Sequence, residues 1–257
     1  MKVTILGCGS SSGVPVVGCH CAVCTSNDPK NNRTRVSVLV EDKETAILVD
    51  TSPDCRQQLL KAKVDRLDAV IWTHDHADHT HGIDEIRSIS YVTNTALPGY
   101  ADPVTLAALR SRFGYVFTEE GVALRPFVPN VLPREIPPAL TIGSIAISSF
   151  TQLHGEGREP TLGLRFGNFA YSTDVKELPE EAFAALKGVD TWVVDCLTEQ
   201  PTPAHSHLEQ TLSWIARVKP RRAILTHMNH QVDYQTWKAK LPPGVEPGYD
   251  GMVLDII

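Results

Sequence analysis

Four metal-binding side chains fall within six residues: His74, His76, Asp78 and His79, the pattern HxHxDH inside THDHADHTH. Imidazole and carboxylate donors together suit zinc, manganese or iron. The run before them, Leu67 to Trp72, is apolar and strand-like. On an extended chain His74 and His76 project to one side. A turn or helix starting directly afterwards would aim Asp78 and His79 at a second spot a few ångströms off, which suits two adjacent ions. Three histidines interleaved with aspartates directly after an apolar strand argue against a merely polar loop.

Two ions need more donors than one loop supplies. Other strand-like runs end in ligand-type residues: His154 after Ile145 to Leu153, Asp174 after Phe169 to Thr173, and His227 after Ala223 to Thr226. Each alone reads as a cap or a solvated polar group. With HxHxDH they make seven donors, Asp174 serving as the bridge. Asp50, closing Thr45 to Val49, reads either as a carboxylate that orients a ligand histidine or as a turn aspartate.

Cys19, Cys21 and Cys24 form a second cluster, CxCxxC. Three thiolates can hold one structural zinc and need a fourth donor. His230, three residues after His227, is the candidate; His20 is the alternative. A disulfide is the other reading, disfavoured because the chain shows no secretory signal and is expected to be cytoplasmic, where thiols stay reduced. MKVTILGC superficially resembles a lipoprotein cleavage site, but seven residues before Cys8 are too few for a signal peptide, so it reads as a first strand. Cys8, Cys55 and Cys196 are isolated and expected to be buried.

The order Asp50, HxHxDH, His154, Asp174, His227 resembles the metallo-β-lactamase-fold hydrolases across most of the chain. That resemblance implies an α/β fold of the αβ/βα four-layer sandwich type, but the superfamily covers β-lactam, thioester and phosphodiester hydrolysis, so the fold does not settle the reaction. The opening GxGxSxGVP (Gly7 to Pro15), then CxCxxC, then THxxHQ (Thr226 to Gln231), resembles the PhnP-type phosphodiesterases. It implies a structural zinc on Cys19, Cys21, Cys24 and His230. It also implies two divalent ions, zinc or manganese, on His74, His76, Asp78, His79, His154, Asp174 and His227. The expected substrate is a cyclic phosphodiester of ribose phosphate or a 2′,3′-cyclic nucleotide, and a homodimer is implied. The CxCxxC opening is also similar to the pyrroloquinoline-quinone biosynthesis protein, in which an intact HxHxDH is not expected.

Two divalent ions would lower the pKa of a shared water, which a single zinc brings to roughly 7. Asp78 is expected to be essential as ligand and catalytic group. An alkoxide leaving group needs a proton donor. The resemblance places a catalytic histidine just before a helix, which implies His207, with His205 as its rival.

The chain has 257 residues, 24 Lys plus Arg against 30 Asp plus Glu, and a formal charge of −6. No basic face stands out, so polymeric nucleic acid is not an expected partner. Arg33 and Arg35 read as solvated strand-entry charges or as contacts to a terminal phosphate; Arg221 and Arg222 form another small pair; Arg87 could lie near the site. A tRNA 3′-end endonuclease shares the dinuclear donors but would carry a Gly- and Lys-rich arm that is not seen. A non-enzymatic metal-dependent carrier or sensor would not need an intact HxHxDH. No apolar run reaches membrane-spanning length.

The elements that must position these residues alternate along one expected domain, 1–257. Strand-like runs fall at Val3–Leu6, Val36–Val40, Ala46–Val49, Ala69–Trp72, Ile142–Phe150, Leu162–Phe166, Phe169–Ser172, Thr191–Asp195 and Ala223–Thr226. Helix-like stretches fall at Asp54–Ala62, His81–Ile89, Pro103–Phe113, Glu180–Leu186, Glu209–Val218 and Tyr234–Leu241. The mixture predicts an α/β protein with two sheets inside flanking helices. Tyr91 to Leu140 carries no chemical motif, and the Pro-rich patch Arg125 to Pro138 reads as an extended crossing between two halves.

Overall fold

The computed structural model describes residues 1–257. Along the chain come β1 (Lys2–Gly7), β2 (Ser37–Glu41), β3 (Ala46–Val49), β4 (Ala69–Ile71), β5 (Leu97–Ala101), β6 (Val131–Glu135), β7 (Ala139–Ile142), β8 (Ile145–His154), β9 (Glu159–Phe166), β10 (Phe169–Ser172), β11 (Thr191–Asp195), β12 (Arg222–Thr226), β13 (Val245–Pro247) and β14 (Met252–Asp255). They form two seven-stranded sheets, ordered β14-β1-β2-β3-β4-β5-β6 and β13-β12-β11-β10-β9-β8-β7. The helices are α1 (Cys55–Ala62), α2 (Ala77–Thr80), α3 (Arg87–Thr93), α4 (Pro103–Phe113), α5 (Glu180–Leu186), α6 (Leu208–Val218) and α7 (Tyr234–Lys240). This is the expected sandwich of two mixed sheets inside helices.

Every residue of β3 and β4 is buried, as parallel strands covered on both faces require. Their alternation divides two cores. Ile47, Val49, Ala69 and Ile71 join the 38-residue core between the sheets. Ala46, Leu48, Val70 and Trp72 join an 18-residue core with Leu59 of α1, Ile89 of α3 and Leu109 of α4. Each large apolar side chain so buried stabilises the fold by about 1.5–3 kcal/mol. A one-residue slip would exchange the faces, so the register is fixed. β3 and β4 run parallel, as do β10, β11 and β12. Their carboxyl ends therefore share one edge, where the strand-terminal Asp and His residues converge.

The segment without a motif is structural. It supplies β5, β6, α3 and α4 to the first sheet and its outer layer. β5 is masked in sequence by Pro98 and Gly99, yet it lies between β4 and β6. A Cβ on Gly99 would stand 2.5 Å from Val131 Cγ1 and 2.7 Å from Trp72 Cζ3, so only glycine lets the indole lie across the strand. The Pro-rich crossing condenses into β6, where Pro133 is tolerated because the strand is at the sheet edge. The run Ile142–Phe150 holds the last residue of β7, a turn at Gly143, whose φ is 55°, and the first six residues of β8. The helix expected at His81–Ile89 is instead a 3₁₀ turn at Ile83–Ile86 followed by α3. β13 and β14, short and near the C-terminus, were also not expected.

Candidate metal centre and active site

Seven side chains from five places meet at the shared edge. His74, His76, His154 and Asp174 bring one donor atom each within 4.8 Å of one another, and Asp78, His79, Asp174 and His227 do the same. Asp174 belongs to both sets. Its Oδ2 is 3.1 Å from His79 Nε2, and its Oδ1 is 3.4 Å from His227 Nε2, 3.8 Å from His154 Nε2 and 3.9 Å from His74 Nε2. HxHxDH divides as its spacing suggested. His74 and His76 lie in the loop after β4, their rings 4.5 Å apart, while α2 starts at Ala77 and turns Asp78 and His79 to the second set. Of the seven donors, only His76 is exposed.

Asp50, Asp174 and His227 all have left-handed backbones, φ 62°, 52° and 56°. Each stands just past the end of a strand, where the chain leaves the sheet. Non-glycine residues in this region are uncommon, and such conformations persist where surrounding structure imposes them.

A buried carboxylate orders the imidazoles. Asp50 accepts a hydrogen bond from His79 Nδ1 at 2.8 Å. It also accepts from Thr73 N at 2.8 Å and from the Thr73 hydroxyl, which itself contacts His74 Nδ1 at 3.0 Å. Both rings then turn Nε2 toward Asp174. His154 is set by Nδ1 donating to the Ala204 carbonyl at 3.0 Å. Arg112 of α4 holds Asp75, between His74 and His76, by its carboxylate at 2.5 Å and by its carbonyl. Burial raises the Asp50 carboxyl despite the opposing charge of His79. Burial alone would lower the His227 imidazole, but Asp174 and Asp78 outweigh it and hold it up at about 9.

The buried Nε2 atoms of His74, His79 and His227 have no hydrogen-bond partner. Leaving a buried polar atom unsatisfied costs about 1–3 kcal/mol, and metal coordination would remove that cost. Donor chemistry, burial and the tautomers set at His74, His79 and His154 all fit divalent ions.

A further pair adjoins the donors. His205 Nδ1 lies 2.9 Å from Asp195 Oδ2, and the His205 ring is 4.5 Å from those of both His154 and His227. Asp195 ends β11 and is wholly buried, and its Oδ2 also accepts from Val175 N at 2.8 Å. Of the two candidate histidines, His207 is the residue before α6, belongs to none of these groups, and has a buried Nδ1 without a partner. Only Ser206 separates it from its rival His205, whose ring is the one beside the donor rings. Asp195 was overlooked, although TWVVD repeats the pattern of an apolar strand closing on an aspartate.

Cys19, Cys21 and Cys24 bring their sulfurs within 4.8 Å of one another. Val16 N donates to Cys24 Sγ at 3.3 Å and Cys24 N to Cys21 Sγ at 3.4 Å; the latter holds the Cys21 thiol below its usual range. All six cysteines are free thiols, with Cys8, Cys55 and Cys196 buried. His230 adjoins the cluster through its backbone, its carbonyl 3.7 Å from Cys21 Sγ, but its imidazole is outside the 4.8 Å set. Arg33 is not a solvated charge. It is 1% exposed, and its Nη2 donates to the carbonyls of Asn229 and Val232 at 3.1 and 2.7 Å, bracing the loop after His227. Arg35 pairs with Asp54 at 3.0 Å. Arg87 begins α3 and lines a separate cleft. No helix is long and apolar enough to cross a membrane.

Comparison with known proteins agrees with this fold. Residues 45–228 match the β-lactamase superfamily domain. A crystal structure of a diphosphatase from the PhnP family superposes with a TM-score of 0.91 at 32% identity, covering 100% of this chain and 98% of that one. Zinc-bound PqqB from Methylobacterium extorquens shares the fold, TM-score 0.79 at 21% identity with both chains fully covered. An octanoyltransferase of Porphyromonas gingivalis is 36% identical over 257 residues, 98% of this chain but only 51% of that protein, so the chain spans about half the length of this relative. The chain belongs to the β-lactamase superfamily and, within it, to the PhnP family.

Proposed function

We propose that this metal-dependent hydrolase cleaves a small cyclic phosphodiester, of the ribosyl 1,2-cyclic phosphate or 2′,3′-cyclic nucleotide type, to a phosphomonoester. His74, His76, His154 and Asp174 would hold one divalent ion, zinc or manganese, and Asp78, His79, His227 and Asp174 the other. When bound, such a pair supplies a lowered pKa for a shared water and attraction for phosphoryl oxygens. Cys19, Cys21, Cys24 and His230 would hold a structural zinc, which requires the His230 side chain to turn toward the thiols.

The observation that carries this reading is the Asp195–His205 pair beside the donor sets. Asp195 accepts from Nδ1, which fixes the tautomer and leaves Nε2 to hold and deliver a proton. Diester hydrolysis expels an alkoxide, a poor leaving group that gains most from such a donor. A second reading, cleavage of a phosphoric anhydride, is favoured by the diphosphatase activity named for the PhnP-family relative. Its leaving phosphate needs far less protonation, so the pair would matter less.

The test is a substrate panel with metal analysis on the same preparation: 2′,3′-cyclic AMP, a ribosyl cyclic phosphate, a linear diester, a dinucleoside diphosphate, an octanoyl thioester and pre-tRNA. Fastest turnover of a cyclic diester, lost in Asp78→Ala together with metal, supports the proposal. Preference for the anhydride, the thioester or pre-tRNA overturns it.

A further inference from the structure

Away from the metal donors, a cleft of about 770 Å³ opens between α3 and the chain at Leu124–Asn130. The ligand loop follows the carboxyl end of β4. Asn94 and Asn130 of the cleft precede β5 and β6, which run parallel to β4, so they lie at the opposite end of the sheet.

The lining includes Arg87 and Arg125 and no carboxylate, in a chain of formal charge −6. Tyr91 and Phe127 stand at it 76% and 84% exposed. Phe127 has φ 68°, a costly backbone for a bulky residue. Ser90 is 2% exposed, and its Oγ has no hydrogen-bond partner; the buried Nε of Arg125 has none either. Arg125 is fixed in place by Nη2 donating to the Phe117 carbonyl at 2.9 Å.

We propose that this cleft binds a nucleoside monophosphate. Arg87 takes the phosphate, and the base lies against the Tyr91 or Phe127 ring. An inorganic anion would have no use for two presented rings, and an apolar partner none for two guanidiniums without counter-charge. The volume suits a ligand of this size, since such sites run from about 300 to 1,000 Å³.

The experiment is a titration of the metal-loaded full chain with AMP, adenosine and inorganic phosphate, followed by the amide signals of Ser90, Asn94 and Phe127. These signals are expected to saturate with AMP at lower concentration than with adenosine or phosphate alone. Arg87→Ser should weaken AMP about tenfold through the lost charge-assisted contact, and Phe127→Ala about tenfold through lost stacking. Neither variant should change turnover at the metal centre, so failure here would leave the diesterase reading standing. Three results would each overturn the proposal: no shift at these amides, phosphate binding as tightly as AMP, or a dimer that Arg87→Ser dissociates, which would make the cleft a contact between copies.

Discussion

Asp50 and His79 lie 29 residues apart in sequence and 2.8 Å apart in space, carboxylate to Nδ1, both fully buried. Through Thr73 the same carboxylate reaches His74, so one group orients an imidazole in each donor set. Asp50→Asn keeps an acceptor but loses the charge. Metal affinity is expected to fall about 10–100-fold with the fold retained, as measured by competition with a chelator. Unchanged affinity would mean Asp50 is only a turn residue.

His205→Gln is expected to lower kcat on a cyclic ribose diester by about 10²–10⁴-fold with metal content unchanged. A diester with a nitrophenol leaving group, which departs without protonation, should lose far less. His207→Gln should leave both nearly intact. Equal losses on both substrates would rule out proton donation by His205.

Cys21 accepts a hydrogen bond from Cys24 N and touches the His230 carbonyl, so it sits at the centre of the thiol cluster. Cys21→Ser is expected to release one metal equivalent and reduce thermal stability and folding yield, while the surviving folded fraction keeps its turnover per molecule. Stability and metal count identical to the parent would remove the structural-zinc reading.

The segment after the cysteines is tied to α7 by carboxylates. Asp233 caps the helix on Thr236 N at 2.9 Å and accepts from Asn31 Nδ2 at 2.8 Å, contacts that hold it below its usual range. Asp28 is held low by Gln235 and by Lys30 N. A depressed folded pKa gives stability that is present above the ordinary carboxylate value, about 3.9, and lost as pH falls through the folded value. Acid titration of the unfolding midpoint should therefore show a drop beginning near pH 4. Asp233→Asn, which caps nearly as well, should make that drop shallower; an unaltered slope would show that these carboxylates do not couple to folding.

What could be read from the chain alone was whatever close neighbours decide. HxHxDH states its own division, because an extended step followed by a helical turn points successive donors to two places whatever surrounds them. The inner strands were legible because continuous apolar runs have few other stable locations, and α4 because its start, Asp102 before Pro103, is a local signal. The pairing of Asp195 with His205, the nearness of the His205 ring rather than that of His207 to the donors, the burial of Arg33 and the left-handed turns at Asp50, Asp174 and His227 were decided only by the stacked sheets. Each depends on which strand ends share an edge, and that follows from register and sheet order across the whole molecule. β5 and β6 were hidden for the same reason: Pro98, Gly99 and Pro133 read locally as loop, and only the neighbouring Trp72 and the sheet edge make them strand.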